Sequence, residues 1–284
     1  MSGIQLLVSD IDGTLVTPAK ALTAEAIAAA RRLRTAGVRL TLISSRPPRG
    51  MREQLAGLDI QEPFAAFNGA ALCSPDGARL EAHGLPPAVA VETLDALANA
   101  GVEAWVFAED DWLIAEPAGR RVPFEQRTVG FDPVITRDLR SAVGGFLGKI
   151  VGVSDDHAAL AACGERLGAQ LGARATVGLS QPYYLDITHP LAMKGHGVTS
   201  LCRLVGALPA QTAVIGDMWN DVSMFDVAGF SVAMGQAPDG VKARADAVTA
   251  SNRDEGFAHA IDTLILPRLS EGEGGSGSER TNGG

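Results

Sequence analysis

Near its start the chain reads Ile4-Gln5-Leu6-Leu7-Val8-Ser9-Asp10-Ile11-Asp12-Gly13-Thr14-Leu15, an apolar run followed by two acids, a glycine and a threonine. The apolar run predicts a buried strand, and Gly13 lets the chain turn sharply where that strand ends. Carboxylates in such a turn suit a divalent cation, and one of them can also act as a nucleophile. An ordinary polar turn explains an isolated Asp-x-Asp-Gly as well. An EF-hand loop fits poorly, because its glycine comes sixth, whereas here it comes fourth.

Three later segments also end predicted strands with polar groups. Leu40-Thr41-Leu42-Ile43-Ser44-Ser45-Arg46 ends in hydroxyls and a guanidinium, and Lys194 follows a predicted strand over residues 183–187. The third segment, Ala213-Val214-Ile215-Gly216-Asp217-Met218-Trp219-Asn220-Asp221, ends in Gly-Asp with a second acid four residues on. That spacing puts the two acids on one side of a starting helical turn. Because open parallel sheets gather ligands at the carboxyl ends of their strands, we expect these groups to line one crevice.

The four segments, in this order, resemble the haloacid dehalogenase (HAD) superfamily of phosphotransferases and, within it, the Cof-like sugar-phosphatase group. The resemblance covers residues 4–266. It implies that Asp10 is the nucleophile that takes the phosphoryl group and that Asp12 is the general acid/base. It further implies that Ser44 holds a phosphoryl oxygen and that Lys194 neutralises the nucleophile and the phosphate. Taken alone, Lys194 would be read as a solvated surface lysine and Ser44 as an ordinary hydroxyl at a strand end.

The same resemblance implies Mg²⁺ as the cofactor. Its ligand set would comprise Asp10, the backbone carbonyl of Asp12, and Asp217, with Asp221 as a supporting acid of the metal site. Two departures from the family pattern concern the nearby loops. Ser45 replaces the usual glycine of the second motif, and Gln236 stands in Met234-Gly235-Gln236-Ala237 where asparagine is common, so no role is assigned to it.

Further candidates for substrate binding are Arg46, Asn220 and the pair Asn68-Gly69, which resembles a family loop. Arg46 is equally consistent with a phosphate contact and with a salt bridge of the fold. Asn220 is equally consistent with substrate contact and with helix capping. His189 and His196 flank Lys194, but no spacing suggests a third zinc ligand, and we expect both at the loop or the surface.

The order of predicted elements gives an α/β protein with a doubly wound, Rossmann-like parallel sheet interrupted by an α+β insert. We predict a catalytic core over residues 1–83 and 187–269, an inserted α+β cap domain over 84–186, and a disordered, Gly/Ser/Glu-rich tail over 270–284. The insert follows Gly84-Leu85-Pro86-Pro87, where the strand and helix pattern changes. We expect the insert to act as a lid that excludes water and selects the leaving group.

Thr23 as a cap, Glu25 in the first turn and Gly37 as a stop predict a helix over residues 24–35. Strands are predicted at 103–108 and 112–115, joined by a turn at 109–111, and at 174–177. A final helix is predicted at about 254–265, whereas residues 120–138 show little periodicity.

Composition narrows the classes of function. The 284 residues are 46% hydrophobic, and 24 Lys and Arg face 33 Asp and Glu for a formal net charge of −9. An acidic chain argues against a nucleic-acid partner, which favours a basic surface. No apolar run is long enough to span a membrane, and no secretory leader is recognised. Cys73, Cys163 and Cys202 are odd in number and far apart, which predicts reduced thiols and a cytoplasmic location.

The leading hypothesis is a magnesium-dependent phosphatase acting on a small phosphorylated metabolite through an aspartyl-phosphate. Two alternatives stay open at this stage: a phosphomutase of the same superfamily, and a phosphosugar-binding regulatory protein with a vestigial site. The intact acids Asp10, Asp12 and Asp217 argue against the second alternative. Neither the substrate nor the oligomeric state follows from the sequence.

Overall fold

A computed structural model describes residues 3–270. The predicted disordered tail lies outside the described residues, apart from its first position. The chain forms two compact units. Of the described residues, the first unit holds 3–42, 57–62 and 202–270, and the second holds 43–56 and 63–201. No helix in residues 3–270 is both long and apolar enough to cross a membrane.

Fourteen strands are present in the described part of the chain. They are β1 (Leu6–Ser9), β2 (Arg39–Leu42), β3 (Phe64–Ala66), β4 (Ala71–Cys73), β5 (Arg79–Ala82), β6 (Glu103–Ala108), β7 (Asp111–Ile114), β8 (Val134–Ile135), β9 (Leu147–Val153), β10 (Thr176–Gln181), β11 (Tyr184–Thr188), β12 (Thr212–Gly216), β13 (Phe230–Ala233) and β14 (Ala247–Val248).

Ten α-helices accompany them within the same residues. They are α1 (Ala24–Thr35), α2 (Arg52–Gly57), α3 (Pro87–Asn99), α4 (Val122–Val129), α5 (His157–Leu171), α6 (Lys194–Val205), α7 (Val222–Phe225), α8 (Asp239–Lys242), α9 (Gly256–Ala260) and α10 (Leu266–Ser270). A π-helical turn, Ile261–Ile265, joins α9 to α10.

The first unit is built on a five-stranded parallel sheet in the order β14-β13-β12-β1-β2. Strand β1 lies in its interior, with Leu6 to Ser9 fully buried and paired to β2 on one side and β12 on the other. From β1 the chain adds β2 to one side, whereas β13 and β14 follow β12 on the other side. The order of strands therefore reverses between β1 and β12, and such a reversal opens a crevice at the carboxyl ends of the two strands.

The second unit contains two further sheets. A six-stranded sheet has the order β10-β11-β9-β6-β7-β8 and is antiparallel except for the β7–β8 pair. One of its faces packs against α3 and α5 in an apolar core that includes Val106, Ile150 and Leu160. Strands β3, β4 and β5 form an antiparallel three-stranded sheet. The predicted α/β class, with a doubly wound parallel sheet and an added α+β portion, is confirmed.

Most predicted elements lie within two residues of their observed bounds, and four regions differ. One is residues 239–248, where α8 and β14 were not predicted. Residues 120–138 contain a short helix, α4, which buries Val122, Glu125 and Val129. A glutamate at one of the buried positions of so short a helix hides the helical period. Strand β10 was expected at 174–177 but extends to residue 181, because an exposed edge strand with polar residues lacks an apolar run. The last helix continues past residue 265 through the π-helical turn.

Helix α1 has the bounds that its capping signals predict. Thr23 precedes it with an extended backbone, and its hydroxyl accepts a hydrogen bond from the amide of Ala26 at 3.1 Å. Glu25 lies in the first turn, and Gly37 follows the helix in a left-handed conformation, with φ of 82°. The cap satisfies one of the amides that a helix start leaves without an intrahelical partner.

We expect Thr23→Ala to lower the free energy of unfolding by about 1 kcal/mol, because it removes the cap and leaves an amide of the first turn without its acceptor. Urea unfolding measures the change. Thr35→Ala is the matched control, since the Thr35 hydroxyl only donates to the Arg31 carbonyl at the exposed end of the same helix. Equal unfolding midpoints for the two variants would contradict the capping role.

Candidate active site

Two of the predicted acids follow the neighbouring strands at which the sheet order reverses. Asp10 comes directly after β1 and Asp217 directly after β12. The strands are in register, with Ser9 opposite Ile215, and the amide of Asp10 donates to the Ile215 carbonyl at 3.0 Å. Parallel pairing therefore brings the two carboxylates to the same edge of the sheet.

Asp221 reaches the same place through the turn that follows Asp217. Its Oδ2 accepts hydrogen bonds from the amides of Asp217 and Met218, each at 2.8 Å. Gly216 makes room for this carboxylate, because a Cβ at that position would lie 2.5 Å from the Asp221 side chain. The contacts show Asp221 shaping the loop that carries Asp217.

Asp10, Asp217 and Asp221 form a compact cluster of buried carboxylates. One oxygen from each lies within 4.8 Å of the others, and the three residues are 4%, 7% and 0% exposed. Buried like charges at this separation repel one another strongly unless a cation lies among them. Three hard oxygen donors match the preference of Mg²⁺ or Ca²⁺, so these residues fit the metal that the sequence predicts.

Gly13 allows the turn after β1 to approach the Asp217 carboxylate, in the turn after β12, closely. Its φ of 85° is left-handed, and a Cβ there would lie 2.2 Å from Asp217 Oδ2. The hydroxyl of Thr14 donates to Asp217 Oδ1 at 3.3 Å. The glycine and the threonine noted in the sequence thus both act on Asp217.

Two contacts in the first unit were not anticipated. Lys20 Nζ pairs with Asp12 Oδ1 at 2.6 Å, from a residue with a left-handed φ of 65°. Gln236 Nε2 donates to the Gly13 carbonyl at 2.6 Å, while its Oε1 accepts from the amide of Asn252 at 3.0 Å. Gln236 therefore ties the turn at Gly13 to the loop at Asn252, about 240 residues further along the chain.

Ser44, Asn68 and Gly69 come together in the second unit. Ile43 forms a parallel bridge with Ala65, and the Ser44 amide donates to the Ala65 carbonyl at 3.0 Å. The amide of Asn68 donates to the Ser44 carbonyl at 2.8 Å, from a left-handed residue with φ of 56°. This network of backbone hydrogen bonds positions the serine at the end of its predicted strand.

Lys194 starts α6 and is only 2% exposed, so it is not the solvated lysine that its residue type alone suggests. Gly69 packs against the first turn of this helix, since a Cβ there would lie 2.8 Å from Gly197 Cα and 3.2 Å from the Met193 carbonyl. The second unit therefore holds Ser44, Asn68, Gly69 and the start of α6 in one neighbourhood.

The remaining candidates lie in differing surroundings. The buried Arg46 donates from Nη1 to the Gly50 carbonyl at 3.0 Å and to Gln54 Oε1 at 3.4 Å, contacts that support its own segment. Asn220 lies exposed in the turn between Asp217 and Asp221. Substrate contact by either residue stays a prediction.

His189 lies in the loop between β11 and α6, as expected, whereas His196 lies within α6. Both are half-buried, and their ring centroids lie 5.5 and 5.4 Å from that of His83. Burial lowers the pKa of each ring, and the neighbouring imidazoles lower it further. The sequence offered no sign of this cluster, because His83 lies more than a hundred residues away from its two partners.

Comparison with known proteins agrees with the geometry. The family model for haloacid dehalogenase-like hydrolases matches residues 7–261. Pyridoxal phosphate phosphatase YbhA of Escherichia coli is 28% identical over 272 residues, covering 92% of this chain and 99% of that protein. A haloacid dehalogenase-like hydrolase from Bacteroides thetaiotaomicron superposes with a TM-score of 0.85 at 25% identity, covering 91% of this chain and 98% of that one.

A sugar phosphatase of HAD subclass IIB shares the fold, with a TM-score of 0.78 at 22% identity and coverage of 90% of this chain and 97% of that one. A parallel α/β sheet with buried acids at its reversal point, in a chain with these relatives, defines a phosphatase. The chain belongs to the haloacid dehalogenase-like hydrolase family.

Gly13→Ala tests the fit of the two acidic turns. A Cβ there must overlap the Asp217 carboxylate, so we expect this variant to lose stability and to bind Mg²⁺ more weakly, as measured by urea unfolding and titration calorimetry. Gly37→Ala is the matched control, because Gly37 has the same left-handed backbone with nothing within 4 Å of a Cβ. The control should lose only the backbone cost, about 1–2 kcal/mol. Equal Mg²⁺ affinity in the two variants would contradict the role assigned to Gly13.

Proposed function

We propose that the chain is a magnesium-dependent phosphatase that hydrolyses a small phosphorylated metabolite, a sugar phosphate or a similar compound, through a phosphorylated Asp10. The observation that carries the proposal is the buried cluster of Asp10, Asp217 and Asp221 at the reversal point of the sheet. A metal-site acid placed directly after β1 is also the residue that the family resemblance marks as the nucleophile.

The metal would be held by Asp10 and Asp217, with the backbone carbonyl of Asp12 as a further ligand. Asp221 is proposed to orient the loop, in keeping with its two hydrogen bonds to backbone amides. Bound Mg²⁺ supplies positive charge that offsets the repulsion between an anionic nucleophile and an anionic phosphate. Such electrostatic compensation matters because phosphate monoesters hydrolyse extremely slowly unaided.

The chemistry proposed for the side chains has two halves. A carboxylate oxygen of Asp10 attacks phosphorus, the bond from phosphorus to the ester oxygen breaks, and Asp12 gives its proton to the leaving oxygen. Water then attacks the phosphorus of the aspartyl-phosphate, and Asp12 accepts the proton of that water. Inorganic phosphate leaves, and Asp10 returns to its starting state.

Ser44 and Lys194 are proposed to hold the transferred phosphoryl group. The Ser44 hydroxyl can donate to a phosphoryl oxygen, and the buried ammonium of Lys194 adds a second positive charge. Asn68, Gly69, Arg46 and Asn220 are proposed as further substrate contacts. Support for these roles comes from family membership and from the neighbourhood of Ser44, Asn68 and Lys194 within the second unit.

The predicted insert, residues 84–186, is proposed as the part that selects the leaving group. Relatives whose names specify pyridoxal phosphate and sugar substrates share the family, so the family tolerates different leaving groups. Phosphate release from a panel of phosphorylated sugars, nucleotides and cofactors, with Mg²⁺ present, tests the function as a whole. A phosphomutase would instead return an isomer of the substrate and depend on a bisphosphate activator.

We expect Asp10→Asn to lower phosphate release by about a thousandfold or more, since it keeps the shape and removes the attacking charge. Mass spectrometry of rapidly quenched wild-type enzyme should show a phosphorylated peptide that contains residue 10. Asp239→Asn, at an exposed acid paired with Lys242, is the matched control and should keep full activity. Near-normal activity of the Asp10 variant would rule out the assignment.

Mg²⁺ should be required, and Asp217→Asn should weaken its binding more than Asp221→Asn does. Loss of a residue that orients a metal ligand typically costs about tenfold to a hundredfold in affinity, and loss of a direct ligand costs more. Titration calorimetry gives the affinities, and chelation followed by added Mg²⁺ gives the dependence of activity. Full turnover in excess chelator would refute the metal requirement.

A further inference from the structure

The face of the six-stranded sheet turned away from α3 and α5 is aromatic and carries one buried lysine. Cross-strand pairing places Phe107 opposite both Trp112 and Lys149, and Lys149 opposite Thr188. The Phe107 and Trp112 rings stack with centroids 5.9 Å apart. Alternation along the strands sends neighbours such as Val106 and Ile150 to the helix-covered face.

Lys149 is 9% exposed, and no acid in residues 3–270 lies within ion-pair distance of its ammonium, although Asp186 stands on the same face of the sheet. Its Nζ lies 4.6 Å from the centre of the Phe107 ring, and its side chain makes no ion pair or hydrogen bond with any described residue. Buried ammonium groups are normally paired, because water that would solvate the charge is excluded. An aromatic ring compensates only part of that loss.

Two more polar groups on this face lack partners. Trp112 Nε1 and the Tyr184 hydroxyl are buried and have no hydrogen-bond partner among the described residues. Trp105 lies between them, with ring centroids 5.0 Å from Trp112 and 5.5 Å from Tyr184. Buried donors without acceptors are uncommon in folded proteins, and an anion is a suitable partner for an unpaired ammonium such as that of Lys149.

The same face lies close to the segment that carries Ser44. The Phe67 ring contacts the Phe107 ring at a centroid distance of 6.5 Å, and it fills the space beside Gly148, where a Cβ would lie 2.6 Å from it. Phe67 immediately precedes Asn68, whose amide binds the Ser44 carbonyl. Within the second unit, the Phe107 and Phe67 rings therefore connect Lys149 to Asn68 and Ser44, two of the residues proposed to hold phosphate.

We propose that Lys149 binds a second anionic group, a carboxylate or another phosphate, on the part of the substrate that leaves. This inference rests on the proposed phosphatase function and adds a substrate class: monoesters whose leaving group is itself acidic. The Phe107 ring beneath Lys149 is fully buried, so the contact with the second anion falls to the Lys149 ammonium.

Matched pairs of probes test the proposal. Phosphoglycerate differs from glycerol phosphate by a carboxylate in place of an alcohol, and fructose bisphosphate differs from fructose monophosphate by a second phosphate. Wild-type enzyme should favour the acidic member of at least one pair in kcat/KM by about tenfold to a hundredfold, the range of a hydrogen bond to a charged group. The pair that shows the preference identifies carboxylate or phosphate as the recognised group.

Lys149→Met should remove most of that preference, mainly through a raised KM for the acidic member, and Lys149→Arg should keep more of it. Lys242→Met is the control, since Lys242 pairs with Asp239 in the first unit. Melting temperatures show whether each variant is folded. The proposal would be overturned if the wild type shows no preference. It would also be overturned if Lys149→Met keeps the preference unchanged, whatever its melting temperature.

A binding experiment separates this inference from the proposed function. Titration calorimetry on Asp10→Asn compares the dissociation constants of the two members of each pair without turnover, and an aryl phosphate reports hydrolysis without leaving-group contacts. If the aryl phosphate is not hydrolysed while the acidic member still binds at least tenfold more tightly, the phosphatase mechanism fails and the Lys149 site stands. If the aryl phosphate is hydrolysed and binding is equal, only the Lys149 site fails.

Discussion

The repulsion among three buried carboxylates is the constraint on which the rest of the site depends. Strand pairing holds Asp10 and Asp217 at the same level of the sheet, and two backbone amides hold Asp221 beside them. Gly13 packs directly against the Asp217 carboxylate and Gly216 against the Asp221 side chain, so these two acids have little room to move. Like charges held this close raise the energy of the folded chain, so we expect a cation bound among them to stabilise the fold.

The sequence predicted that Asp10 and Asp217 lie together because each directly follows a buried strand, and Asp221 followed from its four-residue spacing from Asp217. Asp10 and Asp217 could be placed from local pattern alone, and α1 was predicted with its observed bounds from a cap, an acid and a glycine. Such signals are local, and each is read within a few residues of the position it describes. The same holds for the β6–β7 hairpin, whose turn at Glu109 joins two strands that pair as expected.

Contacts that join distant segments could not be predicted in this way. No local pattern in the sequence indicates that Gln236 binds the Gly13 carbonyl. The ion pair of Lys20 with Asp12 depends on a turn whose backbone is left-handed at Lys20. Lys149 is an ordinary residue in the sequence, and only the register of β6 and β9 shows that it is buried against Phe107. The helix α4 was missed for a related reason, since its buried face includes Glu125.

The three cysteines have a consequence of a different kind. Cys73 in β4, Cys163 in α5 and Cys202 in α6 are unpaired and buried, and burial raises the pKa of each thiol, that of Cys73 to about 11. Oxidants and alkylating reagents react with the thiolate, and at neutral pH these three cysteines of the folded protein are almost entirely in the thiol form. Modification must await local opening, and the rate at which each cysteine is alkylated therefore measures how often its own element opens.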